Sequence, residues 1–229
     1  MFYQNTNEKN RQRWLTKTLS RIPAGATILD AGAGELRNKS LCRHLKYISQ
    51  DFCQYEGKGD GTGLQTGRWD NSQIDLVCDI TSIPVPDSEY DAILCSEVLE
   101  HVPDPVAALN ELTRVLKPGG ALILTAPFAS LVHFAPYHFC TGFSRYWYEH
   151  HLVKRGLRIE ELVPNGDWFS YCSQEISRLG GTARRYNDWS WPVGYLLGIC
   201  CSAYFKFRGG RKADDLACFG WHCVAIKME

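Results

Sequence analysis

Asp30-Ala31-Gly32-Ala33-Gly34 is the densest chemical signal in this chain. Two glycines one residue apart let the backbone turn tightly and admit a ligand close to the main chain. The surrounding charges argue against one class of ligand. Asp30 sets negative charge where the pyrophosphate of a dinucleotide would lie, Glu35 follows the turn, and Arg37 stands where the dinucleotide fingerprint has its third glycine. A cationic ligand suits the turn better. S-adenosylmethionine carries a sulfonium and an ammonium at its methionine end, and attraction between opposite charges then gives Asp30 a purpose.

Further acids stand at regular places downstream. Asp51 comes 19 residues after Gly32, close to the spacing at which an acid ending the second strand takes ribose hydroxyls. Asp79 can accept from an adenine amino group while Ile80 covers a ring face. Both aspartates have a second reading as caps of the segments that follow them, and the glycines alone could mark an ordinary tight turn. Methyl transfer from a sulfonium is an in-line displacement at an already activated carbon, so alignment and exclusion of water are the main demands. A hydroxyl or ammonium acceptor also needs a base to take its proton. His133 and His138 flank Phe134-Ala135-Pro136-Tyr137 and are the candidates, with Tyr137 as a hydrogen-bonding group for the acceptor; packing of aromatics is the competing reading. His101 is a further candidate, or simply bonds the backbone. Glu149-His150-His151 is not read as a metal site, because adjacent helical residues point about 100° apart. No metal requirement is expected.

The elements that must position these groups alternate. Helical spacing of Trp14, Leu15, Leu19 and Ile22 over 12–21 precedes a strand at Thr27-Ile28-Leu29. Tyr47–Ser49, Ile74–Cys78 and Tyr90–Cys95 are apolar strands, each leading into an acid: Asp51, Asp79 and Glu97. Asp104 caps a helix with Pro105 at its first position and Val106, Leu109, Leu112, Val115 and Leu116 as its buried stripe. Pro118-Gly119-Gly120 ends it, and Ala121–Ala126, Leu157–Val163 and Ala217–Lys227 supply later strands. The glycine-rich stretch 56–67 is expected to be the mobile loop. Alternation of this kind implies a doubly wound sheet whose strand ends share one crevice.

Composition narrows the classes further. Lys plus Arg equals Asp plus Glu at 25 each, so no overall field draws the chain to polyanions, and no nucleic-acid partner is expected. Ten cysteines lack any CxxC pair, which fits reduced thiols in a cytoplasm better than zinc ligation or a disulfide scaffold. The polar amino terminus lacks the pattern of a secretory signal. The apolar run Trp191–Phe205 is shorter than the ~20 residues needed to span a bilayer. It reads first as a packed helix, with a cap over the acceptor pocket, a homodimer surface, and a peripheral contact with a membrane or lipid-linked acceptor as the other readings.

ILDAGAGE, then VCDI, then DAILCSEVLEHVPDPVAALNELTRVLKPGGALILTAPF resembles the class I S-adenosylmethionine-dependent methyltransferases, and most closely their type 11 group. The resemblance covers roughly residues 12–165. It implies an α/β fold: a Rossmann-like, doubly wound, seven-stranded, mostly parallel sheet with helices on both faces and an antiparallel last strand. The chain's length makes one domain over 1–229 the expectation, with a cofactor core at 12–126, acceptor-side and cap elements at 127–215, and the final strand at 216–229. The cofactor positions the resemblance carries over are Asp30, Gly32, Gly34, Asp51, Asp79, Ile80, Ser96 and Glu97, the last two closing the crevice. The expected reaction turns S-adenosyl-L-methionine into S-adenosyl-L-homocysteine while methylating a small-molecule acceptor. O- or N-methylation of a sugar or specialised metabolite leads, C-methylation of an activated ring is open, and a catalytically silent cofactor-binding or partner-stabilising subunit is the alternative.

Overall fold

The computed structural model describes residues 4–208 and 213–229. Residues 1–3 and 209–212 lie outside it, including the part of the expected cap elements that falls on 209–212. The described chain divides into two compact units: a larger one, Trp14–Val163 with Gly220–Glu229, and a smaller one, Pro164–Phe219 with the beginning of the chain.

The larger unit holds the sheet core. Strands β1 (Thr27–Ala31), β2 (Lys46–Asp51), β3 (Leu76–Val77), β4 (Tyr90–Ser96), β5 (Leu116–Pro127), β6 (Leu157–Asn165) and β7 (Gly220–Lys227) run in the order β3-β2-β1-β4-β5-β7-β6. The pairs β1–β2, β1–β4, β2–β3 and β4–β5 are parallel, while β7 runs antiparallel to β5. Strand order reverses beside β1, so the carboxyl ends of β1 and β4 flank the switch point where ligands of such sheets bind. The expected seven-stranded mixed sheet is borne out.

Alternation along the strands explains the core. Ile28, Ala92, Leu94, Ala121 and Ile123 pack with Leu15 and Leu19 in one buried cluster, and the intervening Leu29, Ile93, Leu122 and Leu124 are fully buried as well. A strand buried on both faces needs such a continuous apolar run. Leu15 and Leu19 belong to α1 (Gln4–Leu19), which starts eight residues before the 12 expected from its apolar stripe. Its first turns hold polar residues that form helix without a stripe to reveal it. Helix α2 (Pro105–Val115) begins as the sequence indicates, with the Asp104 carboxylate accepting from the N–H groups of Val106 and Ala107 at 3.0 and 2.9 Å, but it ends at Val115, and Leu116, expected in its stripe, opens β5.

Strand β3 is shorter than expected. The N–H of Asp75 donates to Ser49 Oγ, and Asp75 Oδ2 accepts from the N–H and hydroxyl of Ser49 at 2.9 and 2.6 Å. These side-chain bonds take the place of ladder bonds at the head of the strand. Strand β5 is longer than expected because Lys117–Gly120 continues it, with a register shift opposite Tyr90–Ala92 and Gly119 at φ +74°. In the smaller unit, α4 (Trp168–Ser177), α5 (Leu179–Arg185) and α6 (Trp191–Arg208) pack together. Helix α3 (Arg145–Val153) precedes β6 in the larger unit.

Candidate active site

The glycine turn follows directly from the end of β1. Gly32 and Gly34 sit at φ +75° and +51°, in the left-handed region that favours glycine. A Cβ on Gly32 would lie 2.4 Å from Val98 Cγ2, and one on Gly34 would lie 2.6 Å from Trp69 Cζ2. No side chain larger than hydrogen fits at either place. Gly32 N–H donates to the Gln50 carbonyl at 2.8 Å, and Ala33 N–H donates to the same carbonyl at 2.9 Å. The turn is thereby fixed to the end of β2.

Asp30 lies beneath this turn, 1% exposed. Burial pushes its carboxyl up to about 6, against the lowering effect of hydrogen bonds from Tyr47 and Asn38, and the charge of Asp51 raises it further. The Tyr47 hydroxyl donates to Oδ2 at 2.6 Å. A buried carboxyl in this condition is costly in its charged form and gains from a nearby cation.

Asp51 engages both of its oxygens: Oδ2 accepts from Gly34 N–H at 2.9 Å and Oδ1 from Cys53 N–H at 2.8 Å. Because a carboxylate offers about four acceptor sites, these two bonds leave capacity for a ligand hydroxyl. Asp79 is exposed and caps no helix; its carboxylate closes a local turn, accepting from the N–H and hydroxyl of Thr81 at 2.8 and 2.7 Å. Ile80 beside it is buried. At the end of β4, Thr125 Oγ1 donates to Glu97 Oε1 at 2.9 Å and therefore accepts from Ser96 Oγ at 2.8 Å. Glu97 itself holds φ +58°, a conformation that costs a side chain about 1–3 kcal/mol and persists where its surroundings over-determine it.

The candidate histidines converge. Ring centroids of His101 and His133 are 4.6 Å apart, those of His133 and His138 5.0 Å, and those of His101 and His138 6.1 Å. Each has a hydrogen bond that orients its ring. His101 Nδ1 donates to the Tyr137 carbonyl at 2.5 Å, and His133 Nδ1 donates to the Leu131 carbonyl at 2.9 Å. A carbonyl only accepts, so in the neutral rings Nε2 carries the lone pair. Ser130 spends its hydrogen on the Thr141 carbonyl at 2.9 Å and accepts from His138 Nε2 at 3.1 Å. That leaves Nδ1 of His138 as the basic nitrogen. Burial holds His101 down to about 3, helped by the charge of His133; burial and then His133 lower His138 too. The Tyr137 hydroxyl is turned to Gln54 Oε1 at a long 3.5 Å.

An aromatic bridge joins the two groups of residues. Trp69, which packs on Gly34, meets Phe134 edge-on at 5.3 Å, and Phe134 stacks on His101 at 5.0 Å. The glycine-rich loop, expected to be mobile, is stitched to the same segment: Leu64 N–H donates to the Val132 carbonyl, Phe134 N–H to the Leu64 carbonyl, and Asp60 N–H to the Ala135 carbonyl. Its glycines permit this close approach, since a Cβ on Gly59 or Gly63 would collide with the Ala135 or Val132 carbonyl.

Tyr47, Gln50, Trp69 and Thr125 are site residues that the motif reading missed. Gln50 and Thr125 were within reach of a register argument, because one adjoins Asp51 and the other pairs with Ser96 across β4–β5. Trp69 lies in an irregular loop and carried no periodic signal. Glu100, 1% exposed, stands with its Oε1 3.8 Å from His101 Nε2. Among the described residues, ligand-type atoms of Glu100, His101 and His133 all lie within 4.8 Å of one another.

Residues 29–124 match the family model described as "Methyltransferase domain". A "Ubiquinone biosynthesis O-methyltransferase" of Xylella fastidiosa (strain 9a5c) is 36% identical over 110 residues, covering 46% of this chain and 44% of that relative. The chain thus spans less than half the length of the curated relatives it matches. Among solved structures, a geranyl diphosphate methyltransferase in complex with GPP and sinefungin matches with a TM-score of 0.58 and 15% identity, covering 96% of this chain and 79% of that one. The [4+2]-cyclase SpnF matches with a TM-score of 0.56 and 19% identity, covering 93% and 80%. These likenesses show the fold, and residues 29–124 are similar to the methyltransferase domain.

Proposed function

We propose that this chain, whose residues 29–124 match the methyltransferase domain model, is an S-adenosylmethionine-dependent enzyme that methylates a small molecule. The observation that carries the reading is the buried Asp30 carboxyl at the β1–β4 switch point, beneath a glycine turn and linked through Trp69 and Phe134 to three histidines. The residues fit the cofactor: a buried acid held near 6 suits a cationic ligand and opposes a pyrophosphate. Asp30, Gly32 and Gly34 would hold its methionine end, Asp51 its ribose and Asp79 with Ile80 its adenine, and Ser96 with Glu97 would close the crevice. The bound cofactor supplies an electrophilic methyl group.

The chain's own residues do the remainder. Trp69 and Phe134 exclude water, and the hydrogen bonds to Tyr137, Leu131 and Ser130 fix the histidine rings. His138 Nδ1 or His133 Nε2 takes the proton of an acceptor hydroxyl or ammonium as the new bond to carbon forms. His101, held neutral and tied to the Tyr137 carbonyl, positions the other two rings, while Tyr137 offers its hydroxyl to the acceptor. The leading acceptors are sugars and specialised metabolites methylated on oxygen or nitrogen. No metal step is part of this reading.

The test is transfer of labelled methyl groups from S-adenosylmethionine to a panel of glycans and hydroxylated or amino metabolites, with His133→Gln and His138→Gln alongside. A base contributes about 10²–10⁴-fold, so at least one substitution should lower kcat by that much while leaving cofactor affinity intact. Full turnover in both variants would remove the base from the mechanism.

A further inference from the structure

Helix α6 of the smaller unit packs the wrong way round for a helix in water. Such helices bury their large apolar side chains and turn polar ones outward. Here the inward stripe is small: Gly194, Gly198 and Ser202, at successive steps of four. A Cβ on Gly194 would stand 2.9 Å from Gly180 Cα of α5, one on Gly198 would stand 3.3 Å from Ser177 Cα of α4, and Ser202 Oγ accepts from Ser173 at 3.3 Å. Tyr195 packs on Gly180 of α5, but most of the large aliphatic side chains point out. Leu196 is 62% exposed and Ile199 69%, with Val193, Leu197 and Tyr204 about half exposed. Close packing through small residues with large apolar ones outside is how helices pack when their surroundings are hydrocarbon.

Near both ends of the helix, cations lie over aromatic rings. The Arg184 guanidinium lies 5.8 Å from the Trp191 ring and that of Arg208 5.7 Å from the Tyr204 ring. From Trp191 to Tyr204 a helix rises about 20 Å, and the sequence places no charge in that interval. Trp189, just before the helix, is 87% exposed. Between residues 178 and 212 the chain has seven Lys and Arg against a single acid, Asp188, although its overall charge is zero. Trp and Tyr favour the boundary between hydrocarbon and headgroups, and Arg beside them reaches anionic headgroups. No described helix is long and apolar enough to cross a membrane.

We infer that the outward face of α6 is a docking surface for an anionic phospholipid bilayer, with the helix lying in the plane of the interface and its arginines on the headgroups. The inference goes beyond the methyl-transfer reading and stands without it. The bilayer, and not a second copy of the chain, is the occupant because residues 178–212 carry seven cations against the one acid Asp188, so that a second copy would set like charge against like.

Sedimentation of the full chain with vesicles tests it, using phosphatidylcholine alone or mixed with phosphatidylglycerol. The chain should bind the mixed vesicles, and bind them less at high salt. Leu196→Glu/Ile199→Glu should lower the partition coefficient at least about ten-fold, and Arg184→Glu/Arg185→Glu should weaken binding to the mixed vesicles specifically. Quenching of tryptophan emission by brominated lipid reads the same contact in the unaltered chain, so a poorly folded variant does not decide the matter. Three results would overturn the proposal: no binding to the anionic vesicles, binding that the apolar-face pair leaves unchanged, or a homodimer in solution that the same pair disperses.

Discussion

Asp30 and His101 give the site opposite responses to pH. Asp30 has a folded pKa of about 6 against about 3.9 unfolded, so the cost of its burial grows as pH rises from about 4 through 6 and is complete above that. Asp30→Asn should therefore stabilise the ligand-free chain near pH 7.5 by about 2–3 kcal/mol, read from the urea midpoint, while weakening the cofactor. In the unaltered chain, affinity for S-adenosylmethionine should fall about ten-fold between pH 7 and pH 5 as the carboxylate protonates, a dependence Asp30→Asn removes. His101 works the other way. Its folded pKa near 3 lies below the unfolded ~6.5, so the stability it supplies is whole above about 6.5 and drains away as pH falls toward 3. His101→Gln should flatten the loss of stability between pH 7 and pH 5; an unchanged slope would mean that the ring is not held neutral by burial. The types of these residues were legible in the sequence, but their condition was not. Asp30 read as an acid facing a cation, yet its burial depends on β1 lying between β2 and β4, and the approach of His101 to His133 and His138 depends on a chain reversal far from Leu99–His101.

At the scale of elements, what could be read was what hydrophobic periodicity and capping chemistry write into local sequence. Helix α2 is the plainest case: its Asp104 cap, its Pro105 and the Leu109, Leu112 and Val115 part of its stripe recur in the structure, while Leu116 passes to β5. Asp104→Ala should lower stability by about 1 kcal/mol without moving cofactor affinity, as urea unfolding and a binding titration together would show. Strand β3 was misjudged because Ser49 and Asp75 exchange side-chain bonds where a ladder was expected. The glycines of the loop at 56–67, which suggest mobility in isolation, also let it lie against the carbonyls of Val132 and Ala135. Helix α6 shows a further limit. Its composition announced an apolar helix, but only the packing of Gly194 and Gly198 reveals which side faces out.

For the molecule as a whole, a net charge of zero conceals an uneven distribution, with Arg178, Arg184, Arg185 and Arg208 in the smaller unit and the acids Asp30, Asp51, Glu97 and Glu100 in the larger. That division suits a cofactor crevice selective for a cation on one unit and an anionic partner on the other. The central claim concerns the crevice, and titration calorimetry tests it most directly: S-adenosylmethionine, S-adenosylhomocysteine and NADH titrated into the unaltered chain and into Asp51→Ala. The account predicts binding of the first two alone, weakened by the substitution. Binding of NADH alone, or of none of the three, would contradict it.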